Sequence, residues 1–315
     1  MAEHATYFAD DKARRVFMAK RIISRVFVYL FLTIFALFML APFVMMVAGS
    51  FINYQSFHAF SLDAKFSHLG FGGNNWGIEN YKQIFDLNNT SYNFPVYFFN
   101  TFIVAIGSTI VTVVTAVLAG FAFARLEFKG KNALFTVLLA TMMVPGEMMV
   151  LTNVKTVAQL DWYNTFAALI LVHGVSVFYV FYLRQTFQQI PNELYLAAKV
   201  DGVGDLGYLW KVMIPIAMPT ITTIIILSMM GAWNSYVWPN IVARDYWMDN
   251  KELGHSMKLV SNGLRDAFSA QDANTTDKEA VKIAGSMVIS FPLFIVFIAF
   301  RKYIMRGVSR SGIKG

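Results

Sequence analysis

The chain has 315 residues, 57% hydrophobic and only 14% charged, against the roughly one-quarter charged usage of a soluble globular domain. So few charges cannot cover a solvated surface, and the net charge of +7 lies between apolar runs, which directs it to anionic lipid headgroups and away from nucleic acid. There is no cysteine and the five histidines are scattered, which excludes disulfides, thiolate metal sites, cysteine nucleophiles and a histidine zinc cluster.

The apolar residues come in runs long enough, at about 1.5 Å per helical residue, to cross a hydrocarbon layer of roughly 30 Å. Behind a basic segment, residues 1–21, the first run covers 22–49. It is too long for a cleaved signal, whose apolar region is about 7 to 15 residues, so a retained first helix is expected, bent or ended at Pro42. An extracytoplasmic segment, 50–95, mixes aromatic residues with Gly, Asn and charges. A five-helix core, 96–303, then holds the runs Val96–Ala124, Ala133–Val157, Phe166–Phe187, Ile214–Val242 and Val281–Tyr303. A second outside loop, 244–280, carries the polar run Ser269–Asp277, read as flexible, and a tail, 304–315, ends the chain. The expected fold is an all-α integral membrane protein of about six transmembrane helices.

Six spans put both termini on one side. With that side cytoplasmic, the inside segments hold most of the 26 Lys and Arg residues, including Arg14, Arg15, Lys20, Arg21, Arg125, Lys129, Lys131, Arg184, Lys199, Lys211, Arg301 and Lys302. The outside loops hold most of the acids, and the Lys and Arg bias supports both termini inside by the positive-inside rule.

Within the inside segments, the loop 189–215 is interrupted by Glu193, Lys199, Asp201, Asp205 and Lys211 and is not a span. Pro191 and Asn192 start a helix, Glu193 suits its first turn, and Leu194, Ala197 and Ala198 give it an apolar face. Asp201-Gly202 ends it. Asp205 is expected to cap a second helix, Leu206 to Met213, that closes at Pro215. The resulting helix, turn and helix either lies on lipid or receives another protein, which the small Ala197 and Ala198 would let approach closely.

This segment resembles the coupling loop of binding-protein-dependent ABC importer permeases, with a pattern of roughly E-A-A, three residues, G, about nine residues, and I-x-L-P. Ala197, Ala198, Asp201, Gly202, Ile214 and Pro215 match. Leu196 stands where the pattern has glutamate, and Met213-Ile214-Pro215 shortens its end. Trp76 through Tyr81, Asn100-Thr101, Thr141 through Glu147, Phe181 through Pro191, Ala232-Trp233-Asn234 through Trp238-Pro239, and the glycine-rich tail resemble the carbohydrate-uptake, MalG-like group. The resemblance implies the MetI/MalG-like fold, in a bacterial or archaeal cytoplasmic membrane, and a permease role in importing an oligosaccharide or related carbohydrate. A sugar phosphate or polyol, or less readily proton-coupled secondary transport, are the alternatives. It implies a second, MalF-like permease, two ATP-binding subunits or domains, and an extracytoplasmic sugar-binding protein as partners. Glu193, Leu196, Ala197, Ala198, Asp201 and Gly202 would form the ATPase contact. ATP and Mg would be bound by the partner ATPase, with no cofactor and no catalysis in this chain, which lacks a G-x-x-x-x-G-K-[ST] phosphate loop.

Polar residues in apolar runs are costly and face protein or water. Glu147, beside Pro145-Gly146, and Trp233, Asn234 and Tyr236 are therefore the substrate-pathway candidates. Aromatic faces cover sugar C–H groups while Asn or Glu reaches hydroxyls. The same aromatics equally suit a membrane interface, and Asn234 an interhelical hydrogen bond. His173 reads as a helix-packing residue.

Overall fold

The structure, a computed structural model, describes residues 11–51, 76–86, 94–243, 257–263 and 277–309, and every regular element among these is a helix. Helices satisfy every interior backbone group within one segment, which hydrocarbon demands. Among the described residues, four stretches are long and apolar enough to cross a membrane alone: 15–51, 94–125, 205–242 and 281–301.

Helix α1 (Asp11–Phe51) runs without interruption through Pro42. Its apolar side chains, from Val16 to Val44, are exposed on every face, the pattern of a helix solvated by lipid. At its end the Gly77 N–H donates to the Phe51 carbonyl (2.9 Å), Asn80 Nδ2 donates to the Ser50 carbonyl (3.0 Å) and the Tyr81 hydroxyl donates to Ser50 Oγ (2.7 Å). The Trp76–Tyr81 stretch thus folds onto the helix end, and a short helix, α2 (Glu79–Ile84), begins within it. The rest of the expected segment 50–95, up to Asn93, lies outside the described residues apart from Ser50, Phe51 and 82–86.

The core is organised by α3 (Phe94–Arg125), which packs along α7 (Val177–Gln188) and α10 (Ile214–Trp233). Lipid supplies no hydrophobic drive for helix pairing, so close backbone approach matters. A Cβ on Gly120 would stand 3.0 Å from Leu183 Cβ and 3.3 Å from the Arg184 backbone nitrogen, so the absence of a side chain sets the α3–α7 distance. Two apolar clusters result. One joins Ala116 to Phe123 of α3 with Val180, Leu183, Phe187, Tyr208 and Met213; the other joins Val104 with Val157, Leu169, Trp238 and Leu259.

Two expected spans are broken. The stretch Ala133–Val157 is divided between α4 (Lys131–Thr141) and α5 (Gly146–Gln159), bent by 96°. Pro145 has φ −57° and ψ 132°, and its ring disfavours helical backbone at Val144. The stretch Phe166–Phe187 is divided between α6 (Phe166–Ile170) and α7. The break strands backbone carbonyls, and one is reclaimed by a side chain: Trp238 Nε1 donates to the Ala168 carbonyl at 2.9 Å. Thr115 Oγ1 lies 3.0 Å from the Gly174 carbonyl oxygen, but its nearest acceptor is the Val111 carbonyl of its own helix at 2.8 Å.

After α10 come α11 (Val237–Val242) and α12 (Asp277–Ser309). The latter starts before the expected span and continues into the expected tail, whose residues 310–315 lie outside the described residues, as does the polar run 269–276. The expected outside loop, 244–280, is anchored at 257–263. There Asn262 is fully buried, its Oδ1 accepts from the Leu259 N–H (2.7 Å) and its Nδ2 donates to the Pro239 carbonyl (3.2 Å). The Val260 N–H donates to Thr101 Oγ1 (2.9 Å), and Asn100 Nδ2 donates to the Lys258 carbonyl (3.1 Å).

Candidate functional site

The loop 189–215 folds as α8 (Asn192–Val200), a turn, α9 (Asp205–Tyr208) and a π turn (Leu209–Met213) leading into α10. The first helix ends as expected: Asp201 is its C-cap and Gly202 adopts φ +73°, a left-handed conformation that costs an L side chain about 1–2 kcal/mol. Two expectations are corrected. Asp205 does not cap the second helix, because its carboxylate accepts the Tyr195 hydroxyl at 2.7 Å; Gly204 occupies the N-cap position. Pro215 does not close the element either. The Ile214 N–H bonds back to the Leu209 carbonyl, five residues earlier, and this wider turn relieves the clash that a proline ring imposes in α-helical register.

One helical face is turned inward. Tyr195 and Ala198, three residues apart, are buried in the first apolar cluster, with the Tyr195 and Tyr208 ring centroids 5.1 Å apart. Ala198 therefore supports the element from within its own chain, and of the two alanines only Ala197 is exposed. Helical spacing then places Leu196 (54% exposed) and Val200 (88%) outward, joined by Leu206 (62%) across the turn. Glu193, Asp201 and Gly202 are also exposed. Burial and the bond to Asp205 push the Tyr195 phenol above its usual range, and Lys199, 4.6 Å over its ring, is raised mainly by its hydrogen bond to Tyr195.

Arginines hold the base of this element. The Arg125 guanidinium donates to the Phe187 carbonyl (2.9 Å), the Ile190 carbonyl and Asn192 Oδ1 (3.2 Å), and so ties the end of α3 to the approach of α8. Arg184 Nε donates to the Phe123 carbonyl (3.1 Å), and its guanidinium lies 3.9 Å over the Phe135 ring. Charge on these carbonyl-rich helix ends complements their dipoles.

The four substrate-pathway candidates have different surroundings. Glu147 is exposed in the first turn of α5, just past the 96° bend. Trp233 is 4% exposed, its indole donates to the Ile289 carbonyl (3.1 Å), and its ring meets Phe98 edge-on. Asn234 ends α10 and donates to the Met230 carbonyl (2.9 Å). Tyr236 is half-buried at the start of α11.

A polar cavity of about 280 Å³ lies among α3, α7, α10, α11 and the α6–α7 break, lined in part by Ser108, Thr112, His173, Ser176, Ser228 and Trp238. His173 packs edge-on against Trp238 with ring centroids 5.1 Å apart. Of this lining the sequence marked His173, read as a packing residue; Ser108 and Thr112 show there only as a spacing of four within an apolar run. Serine and threonine are tolerated in membrane helices for other reasons, so the spacing does not single them out.

Residues 113–310 match the family described as binding-protein-dependent transport system inner membrane component. The chain is 32% identical over 238 residues to the arabinooligosaccharides transport system permease protein AraQ of Bacillus subtilis (strain 168), covering 76% of this chain and 79% of that protein. It is 28% identical to the inner membrane ABC transporter permease protein YcjP of Escherichia coli (strain K12), covering 94% and 99%. It is 25% identical to the sn-glycerol-3-phosphate transport system permease protein UgpE of Yersinia enterocolitica, covering 71% and 75%. Its fold is similar to that of a chain in a bacterial ABC transporter involved in the import of the acidic polysaccharide alginate, with TM-score 0.70, 19% identity, and 95% and 99% of the two chains covered.

Proposed function

The chain belongs to the family of binding-protein-dependent transport system inner membrane components, and from that premise we propose that it is the permease subunit of an ATP-driven importer of an oligosaccharide. Its non-catalytic role is to carry the pathway and to pass on movement from a partner ATPase, which binds ATP and Mg. The observation that carries the coupling role is the outward face of α8 and α9. Leu196, Ala197, Val200 and Leu206 are presented to the exterior of the chain while Tyr195, Ala198 and Tyr208 lock the same element to the core. Exposed apolar side chains on a rigidly held element suit a protein partner. Glu193, Asp201 and Gly202 border this face.

The reading includes a second permease, two ATP-binding subunits or domains and an extracytoplasmic sugar-binding protein, with both termini on the cytoplasmic side of a bacterial or archaeal membrane. The likeness to UgpE favours one second reading, a sugar phosphate as the solute.

The test is ATP hydrolysis and uptake by the complete complex in proteoliposomes, with its binding protein and a panel of arabinotriose, maltotriose and sn-glycerol 3-phosphate. One neutral sugar should stimulate both activities, and Ala197→Trp should abolish the stimulation without dispersing the complex. Uptake that continues without ATP would overturn the proposal and favour a secondary carrier.

A further inference from the structure

Along α3 the second apolar cluster contributes Val104 and the first begins at Ala116. Ser108 and Thr112 sit in the interval, near the middle of this 32-residue helix, and open onto the polar cavity together with Ser176 and Ser228. Their hydroxyls behave differently from others in the fold. Thr101, Thr109, Thr186 and Thr223 each donate to the carbonyl four residues earlier, at 2.7–3.0 Å, the usual way in which a helix absorbs a hydroxyl. The hydroxyls of Ser108, Thr112, Ser176 and Ser228 make no hydrogen bond among the described residues. Four donor-acceptor groups therefore converge, unspent, on one cavity at membrane depth, where an unsatisfied polar group is costly.

The rest of the lining points to the ligand class. It contains no Asp, Glu, Lys or Arg, and its one basic group, His173, packed against Trp238, supplies at most a single charge, too little to offset a buried phosphate dianion. The His173–Trp238 pair offers ring surface suited to C–H faces. Its volume of about 280 Å³ is at the small end of the roughly 300–1,000 Å³ of small-molecule pockets, the scale of one sugar ring rather than a whole oligosaccharide.

We infer that this cavity is a subsite for one neutral sugar residue of the transported solute, recognised through Ser108, Thr112, Ser176 and Ser228, and that it selects against phosphorylated sugars. The inference rests on the importer reading above and adds which residues of this chain meet the solute and which solutes they refuse.

Because the chain has no cysteine, Ser108→Cys and Ser228→Cys each introduce a single thiol at the cavity. Met143→Cys, at an 85% exposed position beside the α4–α5 bend, serves as the control. In the complete complex with cysteine-free partners, reaction of each thiol with a cationic methanethiosulfonate reagent is timed alone, with arabinotriose or maltotriose, and with sn-glycerol 3-phosphate. The trisaccharide that the complex imports should slow labelling at positions 108 and 228 at least about fivefold, with no effect at 143 and none from glycerol 3-phosphate. Thr112→Val, which keeps the shape and removes one hydroxyl, should raise the uptake KM for that sugar about fivefold, the loss of one hydrogen bond. Uptake of a trisaccharide with unchanged labelling rates would overturn the subsite and leave the importer reading standing. Equal protection by glycerol 3-phosphate would overturn the selectivity. A complex that imports glycerol 3-phosphate and neither trisaccharide would refute the oligosaccharide reading and the subsite with it.

Discussion

Replacing Arg125 with methionine keeps its aliphatic stem and removes the guanidinium that holds the approach to α8. The bond to Asn192 is exposed, so water replaces it. The two bonds to the Phe187 and Ile190 carbonyls are charge-assisted, each worth about 1.5 kcal/mol or more in a dry setting. Arg125 is only half-buried, and solvation of the charge reduces the pair to about 2 kcal/mol, roughly a 30-fold change in local opening. Hydrogen exchange of the subunit in nanodiscs, followed by mass spectrometry, reads this directly. Amides of residues 192–203 should exchange about 30-fold faster, while those around Val104 and Leu169 in the second apolar cluster keep their protection, because that cluster lies about 30 Å back along α3 and shares no partner with Arg125. Arg125→Lys, a point charge without the fork, should fall between. An acceleration below threefold at 192–203, or one spread evenly over α3 and α7, would refute the assignment of Arg125 as the clamp.

Gly202→Ala should speed exchange in the same turn by roughly 5- to 30-fold through backbone strain of about 1–2 kcal/mol; since a Cβ there meets nothing within 4 Å, Gly202→Asn, which tolerates left-handed backbone, should be milder. Gly120→Val should lower the melting temperature of the detergent-solubilised subunit, because overpacking against Leu183 and the Arg184 backbone costs about 1–3 kcal/mol; an unchanged melting temperature would contradict the close approach of α3 and α7. For pH, the folded chain raises the Tyr195 phenol above 10.0 and Lys199 above 10.5, so both hold their protons more tightly when folded. Their contribution is fully present below those unfolded values and is lost as pH rises through the folded ones. Exchange of the 195–205 turn should therefore be indifferent to Tyr195 ionisation near neutrality, after correction for the intrinsic rate, and accelerate above about pH 10; Tyr195→Phe should lose that alkaline step.

The sequence by itself determined the membrane class, the position of the apolar runs, and the helix, turn and helix of 192–208. Each is a local consequence: long apolar segments must be helical in hydrocarbon, and Asp201-Gly202 stops a helix through its own backbone preferences. Ser-Thr-Gly content inside those runs was equally visible, but its meaning was not. Only the tertiary structure decided that Phe166–Phe187 is two helices with Trp238 bonded to a carbonyl at their break, that Asp205 pairs with Tyr195 instead of capping, and that Ala198 faces inward while Ala197 faces out. Trp233 and Asn234 stood out as polar anomalies, yet the indole bonds to a neighbouring helix and the amide to its own. The hydroxyls that converge on a cavity come from two helices, α3 and α10, and the break between α6 and α7, separated by up to 120 residues. A hydroxyl absorbed by the carbonyl four residues back and one left open to a cavity are the same letter in the sequence; which of the two it becomes is settled by the helices that pack around it.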